Sequence, residues 1–308
     1  MKLKIISTTK QEKGIIEMPE QFSEAVRPDI IKRAVLAIMA NKRQPYGVDP
    51  EAGKRYVATL SKRRRKYRGV YGKGISRTPR KIIRRSGSQL RWIGAFAPQT
   101  VGGRKAHPPK AEKIWKQKIN KKERKKAIRS ALSATLLKEI VKKRGHIIPD
   151  NYPFIIESKI ESIKKTKEIK ELLKKLGFSE ELERASKKTK IRAGKGKLRS
   201  RKYKKIRGML LVVSGPCNLI HSAQNIPGLE VCEVRKLNAE ILAPGTFPGR
   251  MTLFTEKAIE TLKNEKLFTE KQKNIEKKQL KSIPKENKIN KKSVEKERKK
   301  VTKNKKRN

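Results

Sequence analysis

The stretch MLLVVSGPCNLIHSAQN, residues 209–225, decides the fold class. Met209 to Val213 is a run of five apolar residues without polar alternation, the pattern of a strand covered on both faces. Ser214, Gly215 and Pro216 follow as a turn, and Asn218 is placed to cap a short helix reaching about Asn225. Downstream, Val231 to Val234 reads as a strand and Leu237 to Leu242 as a short helix. Arg250 to Phe254 is another strand, and Thr255 opens a last helix to about Leu262. Upstream, Tyr152 to Glu157 is a strand. Thr166 to Leu176 is a helix with Ile169, Leu172, Leu173 and Leu176 on one face, closed by Gly177.

Before these lies a long helix. Asn120 with Glu123 fits a capping-box pattern, and Ile128, Leu132, Leu136 and Ile140 mark one face as far as Gly145. Strand and helix thus alternate through residues 120–262, which predicts an α/β layered domain with a mainly parallel sheet. At the start of the chain, Leu3 to Ser7 reads as a strand, with a turn at Lys13-Gly14 and a second apolar pair, Ile15 and Ile16. A helix begins at Pro28 and runs from Asp29 to about Lys42, and is expected to pack on the same sheet.

Between these helices regular periodicity stops. Residues 42–110 hold 20 Lys+Arg, nine glycines and two acids, Asp49 and Glu51. Loops of compact domains rarely exceed about 12–15 residues. This stretch also carries Tyr46, Tyr56, Tyr67, Tyr71, Trp92 and Phe96, residues in which flexible linkers are poor. It is expected to be an insertion within one domain: a globular α/β domain over 1–263, interrupted by an extended basic loop at 43–112. Residues 264–308, with 18 Lys+Arg and six acids, read as a basic tail, either disordered or ordering only on a partner.

Charge then restricts function. The chain has 83 Lys+Arg against 29 Asp+Glu, a net charge of +54 over 308 residues. Such an excess repels itself unless a polyanion neutralises it. Nucleic acid presents the dense phosphate line that does so. A membrane surface would call for a basic amphipathic helix or lipidation signal, and neither is apparent. MKLKIISTTK at the N-terminus lacks the apolar stretch of a signal peptide. Two cysteines, Cys217 and Cys232, are too few for a disulfide framework or zinc ribbon and read as small core residues of a reduced, cytoplasmic protein.

The basic stretch suits RNA in detail. Arg63, Arg64, Arg65, Arg68, Arg77, Arg80, Arg84, Arg85, Arg91 and Arg104 offer planar guanidinium groups that fork onto phosphate or stack on bases. Lys73, Lys105 and His107 add charge or donors. Tyr67, Tyr71, Trp92 and Phe96 are placed to stack on unpaired bases. A second basic cluster, KKTKIRAGKGKLRSRKYKKIRG (187–208), supplies Arg192, Lys195, Lys197, Arg199, Arg201, Lys202 and Tyr203. Its Gly194–Lys197 segment is not a phosphate loop, because Lys197 is followed by Leu198 where Ser or Thr would hold magnesium. The Ser214–Pro216 turn could place a phosphate at a helix start, but tight connections of this kind are common and no glycine triplet supports a dinucleotide. His107, His146 and His221 are scattered, and none is read as forming a metal or catalytic pair with a cysteine or carboxylate. No cofactor, metal or catalytic group is expected, and an enzyme is not.

Four blocks resemble the large ribosomal subunit protein four family in its archaeal and eukaryotic form. They are KGISRTPR (73–80) with GAFAPQTVGGRKAHPP (94–109), KINKKERKKAIRSALSAT (118–135), RAGKGKLRSRKYKK (192–205) and APGTFPGRMTLFTEKAI (243–259). The resemblance covers roughly residues 1–262. It implies a three-layer α/β/α domain on the large subunit, with its loop among rRNA helices and the loop tip lining the constriction of the nascent-peptide exit tunnel beside large-subunit protein twenty-two. On the matching blocks it carries rRNA contact to Arg77, Arg80, Arg104, Lys105 and His107, and puts the tip within about Gly69 to Trp92. The segment KIIRRSGSQLRW (81–92) is less glycine-rich than that pattern, and the tail matches no family block. Regulatory RNA binding away from the ribosome is the alternative.

Overall fold

Neighbouring residues of one strand feed two different cores. Leu210 and Val212 pack with one apolar cluster, Leu211 and Val213 with another, and all four are fully buried. A strand's side chains alternate between faces, so an unbroken apolar run means helices cover the sheet on both sides. Ile155 and Ile156 divide in the same way, as do Phe254 and Leu253.

The computed structural model describes residues 1–269 apart from 56, 57, 59 and 88. Tyr56 and the tail from residue 270 onward therefore lie outside the described residues. In chain order the strands and helices are β1 (Lys2–Ile6), β2 (Glu12–Glu17), α1 (Pro28–Asn41), β3 (Arg80–Ser86), β4 (Gln89–Gly94), α2 (Lys121–Leu136), α3 (Lys138–Lys143), β5 (Ile155–Ile156), α4 (Thr166–Lys175), α5 (Ser179–Lys187), β6 (Lys190–Ile191), β7 (Tyr203–Lys204), β8 (Leu210–Val213), α6 (Asn218–Ala223), β9 (Glu230–Glu233), α7 (Ala239–Leu242), β10 (Thr252–Thr255) and α8 (Glu256–Asn264).

The main sheet has six strands in the order β2-β1-β5-β10-β8-β9. Only the β1–β2 pair is antiparallel; the other four pairings are parallel. One face is covered by α1, α2, α7 and α8, the other by α3, α4, α5 and α6, giving three α/β/α layers. The residues before and after the long basic stretch share one core: Ile31, Ala34 and Val35 of α1 lie in the same cluster as Ala127, Ile128 and Leu132 of α2. Packing also continues past residue 263. Leu267 and Phe268 rest on that cluster, and Arg129 donates to the Phe268 carbonyl at 2.8 Å.

Contacts divide the described residues into two units, one formed by residues 1–39 with those from 118 to 269, the other by residues 40–117. In the second, regular structure does not stop as the sequence suggests. β3 and β4 form an antiparallel hairpin, with Lys81 opposite Ile93, Ile82 opposite Trp92 and a bulge at Ile83. Its alternation is hard to read because the bulge sets Ile82 beside Ile83 and Arg84 beside Arg85 in β3, while β4 alternates over only Gln89 to Trp92.

Three local expectations also fail. The helix from 121 breaks at Leu137, whose ψ of 106° is extended, so α2 and α3 are separate. The carbonyl that would continue the ladder, on Thr135, instead accepts the Tyr152 hydroxyl, and Ser133 and Thr135 hydroxyls bond back to Ser130 and Leu132. Such back-bonding weakens a helix and bends it. Asn120 makes no side-chain cap, and Glu123 pairs with Arg33 at 3.2 Å instead of closing a capping box. Asn218 is the first residue of α6 rather than its cap, and Asn238 is the cap the sequence reading passed over: its side chain accepts from the Ile241 N–H at 2.9 Å.

Candidate nucleic-acid interface

The hairpin places cations against cations. Arg84 stands directly opposite Arg91, and Arg85 opposite Leu90. Like charges at directly paired positions destabilise a ladder. Both acids of residues 42–110 are already engaged, since Asp49 and Glu51 each pair with Arg55. Arg63, Arg64, Arg84, Arg85 and Arg91 are exposed and make no ion pair among the described residues. Arg65 is exposed and takes a left-handed conformation at φ 52°.

The aromatic residues act as platforms for these cations. Trp92 has Lys73 at 5.8 Å and Arg80 at 5.9 Å from its ring centre. Arg77 lies 4.5 Å from the Tyr71 ring and Arg68 5.4 Å from Tyr67. A guanidinium over an aromatic face is held flat while its edge N–H groups stay available to phosphate. The structure thus brings Arg77 to Tyr71, and Lys73 together with Arg80 to Trp92. Arg80 also donates to the Ser76 carbonyl at 3.2 Å, and its Nε is buried with no hydrogen-bond partner. Arg104, Lys105 and His107 follow in a separate group beside Phe96, described further below.

Where the stretch begins and ends, a second stack forms. Tyr46 and Trp115 are stacked at 6.0 Å with their planes 16° apart, and the Arg43 guanidinium lies 3.5 Å from the Trp115 ring centre. Asn41 Oδ1 accepts the Gln117 N–H at 3.0 Å, tying the two chain ends of this unit together. Arg43 and Trp115 were not singled out in the sequence, because 72 residues separate them and no local pattern links the pair.

In the other unit the second basic cluster is a small hairpin. β6 and β7 pair Lys190 with Lys204 and Ile191 with Tyr203. A 3-10 turn over Gly194–Arg199 closes it, and Ser200 accommodates a left-handed φ of 58°. Arg192, Lys195, Lys197, Arg199, Arg201, Lys202 and Tyr203 are all exposed there. Arg192 Nε donates to the Arg201 carbonyl at 3.1 Å, and Lys202 lies 5.6 Å from the Tyr203 ring. Lysine facing lysine repeats the like-charge pairing seen at Arg84 and Arg91.

The crevice where an open α/β sheet would take a phosphate, beyond the strand ends, is acidic instead. A groove of about 970 Å³ there is lined by Glu157, Glu161, Glu256 and Glu260 among others. Glu161 accepts the Ser214 N–H at 3.0 Å, the Ser214 hydroxyl at 2.7 Å and the Thr255 hydroxyl at 2.6 Å. A carboxylate thus takes the donors a phosphate would need, which removes the anion-site reading of the Ser214–Pro216 turn.

One histidine does have a carboxylate partner, against the sequence reading. His146 Nδ1 lies 2.7 Å from Glu181 Oε1, both buried, and Arg184 reaches the same carboxylate at 2.5 Å. Burial pushes the Glu181 carboxyl up, but hydrogen bonds from Arg184 and His146 outweigh it and hold it at about 2. The network joins α5 to the segment after α3. It contains no nucleophile or cleft and reads as a structural clamp. Among the described residues no cluster of His, Cys, Asp and Glu could hold a metal. Burial raises both thiols, Cys232 to about 11, so neither is poised to react.

A three-layer α/β domain bearing two self-repelling, cation-rich hairpins defines a protein made to face a polyanion. The chain belongs to the Ribosomal protein L4/L1 family, whose model matches residues 16–265. It is 51% identical over 269 residues to the large ribosomal subunit protein uL4 of Nanoarchaeum equitans, covering 87% of this chain and all of that protein. It is 47% identical over 249 residues to uL4 of Methanosphaera stadtmanae, covering 80% and 90% of the two chains. With uL4 of Archaeoglobus fulgidus it shares 41% identity over 263 residues, covering 85% and 98%.

Proposed function

We propose that the protein is a structural component of the large ribosomal subunit in the cytoplasm, where it binds large-subunit rRNA and stabilises its folding and assembly. The observation that carries this reading is the like-charge pairing of Arg84 with Arg91 inside a stretch, residues 42–110, whose two acids are spent on Arg55. That arrangement gains stability when phosphates lie between the cations. Family membership and full-length similarity to uL4 proteins support the ribosomal setting. The family is structural, not enzymatic, and Glu161 in the sheet-end crevice argues the same way.

The contacts are made by Arg63, Arg64, Arg65, Tyr67, Arg68, Tyr71, Lys73, Arg77, Arg80, Arg84, Arg85, Arg91, Trp92, Arg104, Lys105 and His107, and by the 192–203 cluster. The turn between β3 and β4 falls within the tip expected at Gly69 to Trp92. It lines the peptide exit tunnel near large-subunit protein twenty-two and the nascent peptide. Among the described residues no helix is long and apolar enough to cross a membrane. The test is a chain lacking residues 61–95. Subunits built with it should assemble late or lose tunnel structure while β1, β5, β8 and β10 keep their fold. Normal subunits with an unchanged tunnel would contradict the reading.

A further inference from the structure

We propose that a cavity within the basic unit, bounded by residues 48–54 and 96–113, holds a single unpaired nucleotide. Its base lies against Phe96, Pro108 and Pro109, and its phosphate against Arg104, Lys105 and His107. The proposal rests on the rRNA-binding reading and adds a site to it. The cavity measures about 1320 Å³ and all its lining residues belong to the 40–117 unit.

The walls are built by close backbone approach. A Cβ on Gly47 would lie 2.5 Å from the Ala111 nitrogen, so only glycine lets the two segments meet there. The adjacent Val48 N–H donates to the Pro109 carbonyl at 3.2 Å and fixes the register. Between the lining residues Ala52 and Lys54, Gly53 has a φ of +74°, and a Cβ on it would meet Phe96 Cδ1 at 2.7 Å and Arg104 Cδ at 2.9 Å. The Phe96 ring and the Arg104 stem are therefore held side by side over the Gly53 backbone. The turn that follows Phe96 in the chain is closed by the Thr100 hydroxyl, which donates to the Ala97 carbonyl at 2.7 Å.

This geometry joins a flat apolar wall to a cationic rim. Phe96 is half-exposed, and Lys105 and His107 are exposed. An aromatic ring and two prolines on one lining suit the π-face of an extruded base. The cations suit the phosphate attached to it. Two acids line the wall: Asp49 is paired with Arg55, and Glu112 is exposed between the lining residues Lys110 and Lys113, so cations offset both. A base stacked within a duplex cannot enter, so the ligand is a bulged or single-stranded nucleotide. An acidic peptide would satisfy the rim and leave the Phe96–proline wall without a match.

The experiment uses the full chain with two transcripts of large-subunit rRNA, one carrying 4-thiouridine and one 6-thioguanosine, irradiated and mapped by mass spectrometry. Crosslinks are expected on Phe96, His107 and the Pro108-Pro109 segment. Ala106→Trp fills the cavity from an exposed position. It should remove those crosslinks and weaken binding of a decauridylate about tenfold, the range of one lost stacking contact. Duplex binding should stay as in the wild type, and the salt slope should fall by no more than the one phosphate contact held in the cavity. Phe96→Leu, which keeps an apolar residue over Gly53, should give the same loss. If wild-type chain binds rRNA with a steep salt dependence but crosslinks elsewhere, or if both variants bind decauridylate normally, the pocket assignment is overturned and the rRNA reading stands. Crosslinking of the cavity to a neighbouring protein's acidic segment in assembled subunits also overturns it. Failure of wild-type chain to bind rRNA in a salt-dependent way would instead defeat the functional reading beneath it.

Discussion

Arg84 of β3 stands directly across the hairpin from Arg91 of β4, with no acid of its own stretch left to separate them. A pair so placed costs stability in the free protein and returns it when phosphate bridges the two guanidinium groups. The same cation that weakens the hairpin alone therefore strengthens the complex.

Arg84→Thr should separate these effects. The β-branched threonine suits a strand and relieves the repulsion, so the isolated hairpin becomes slightly more protected from hydrogen exchange. Binding to rRNA weakens, and the log–log salt slope falls by about 0.7–0.9, one phosphate contact. A variant with an unchanged slope would mean Arg84 meets no phosphate.

The Glu181 clamp gives a pH dependence with a defined sign. Its folded value of about 2 lies below the ordinary 4.5. A depressed carboxyl adds stability above the unfolded value and loses it as pH falls through the folded one. The window is thus about pH 4.5 down to 2, and the contribution is on the order of 3 kcal/mol at neutral pH. Glu181→Gln leaves the nearly buried Arg184 without its carboxylate and should cost a similar amount at pH 7 in urea unfolding. The gap between variant and wild type should close as pH drops below 4.5. A gap that persists at pH 2.5 would show that the loss is one of packing and not of charge.

Tyr152 explains the break between α2 and α3. Its hydroxyl donates to the Thr135 carbonyl and sits 3.5 Å from the Thr252 N–H. Tyr152→Phe keeps the ring and leaves a buried carbonyl unsatisfied, so it should destabilise the domain by about 1–3 kcal/mol. Denaturant midpoints would measure this. No change in midpoint would mean the hydroxyl does not hold the break.

These residues mark what could be read from the chain. The runs Met209–Val213 and Arg250–Phe254 announced buried strands because both faces of the sheet are covered, and that fact is written in local composition. The hairpin of β3 and β4 was not legible, since the bulge at Ile83 sets Ile82 beside Ile83 and Arg84 beside Arg85, which breaks alternation in β3, and β4 alternates over only Gln89 to Trp92. The helix break at Leu137 depends on a tyrosine 17 residues away from its acceptor, and the His146–Glu181 contact spans 35 residues. Helix periodicity carries no trace of either. The candidate interface was legible in kind, through charge and interleaved aromatics. Its arrangement was not: the pairing of Lys73 and Arg80 on Trp92, the Arg43–Trp115 stack and the walls around Phe96 arise only when distant segments meet.

The most direct test is a map of the whole chain within an assembled large subunit. The expected map has rRNA phosphate within hydrogen-bond reach of Arg84 and Arg91, and rRNA against the Arg192–Tyr203 hairpin. A subunit in which the β3–β4 hairpin touches only solvent or protein would contradict it.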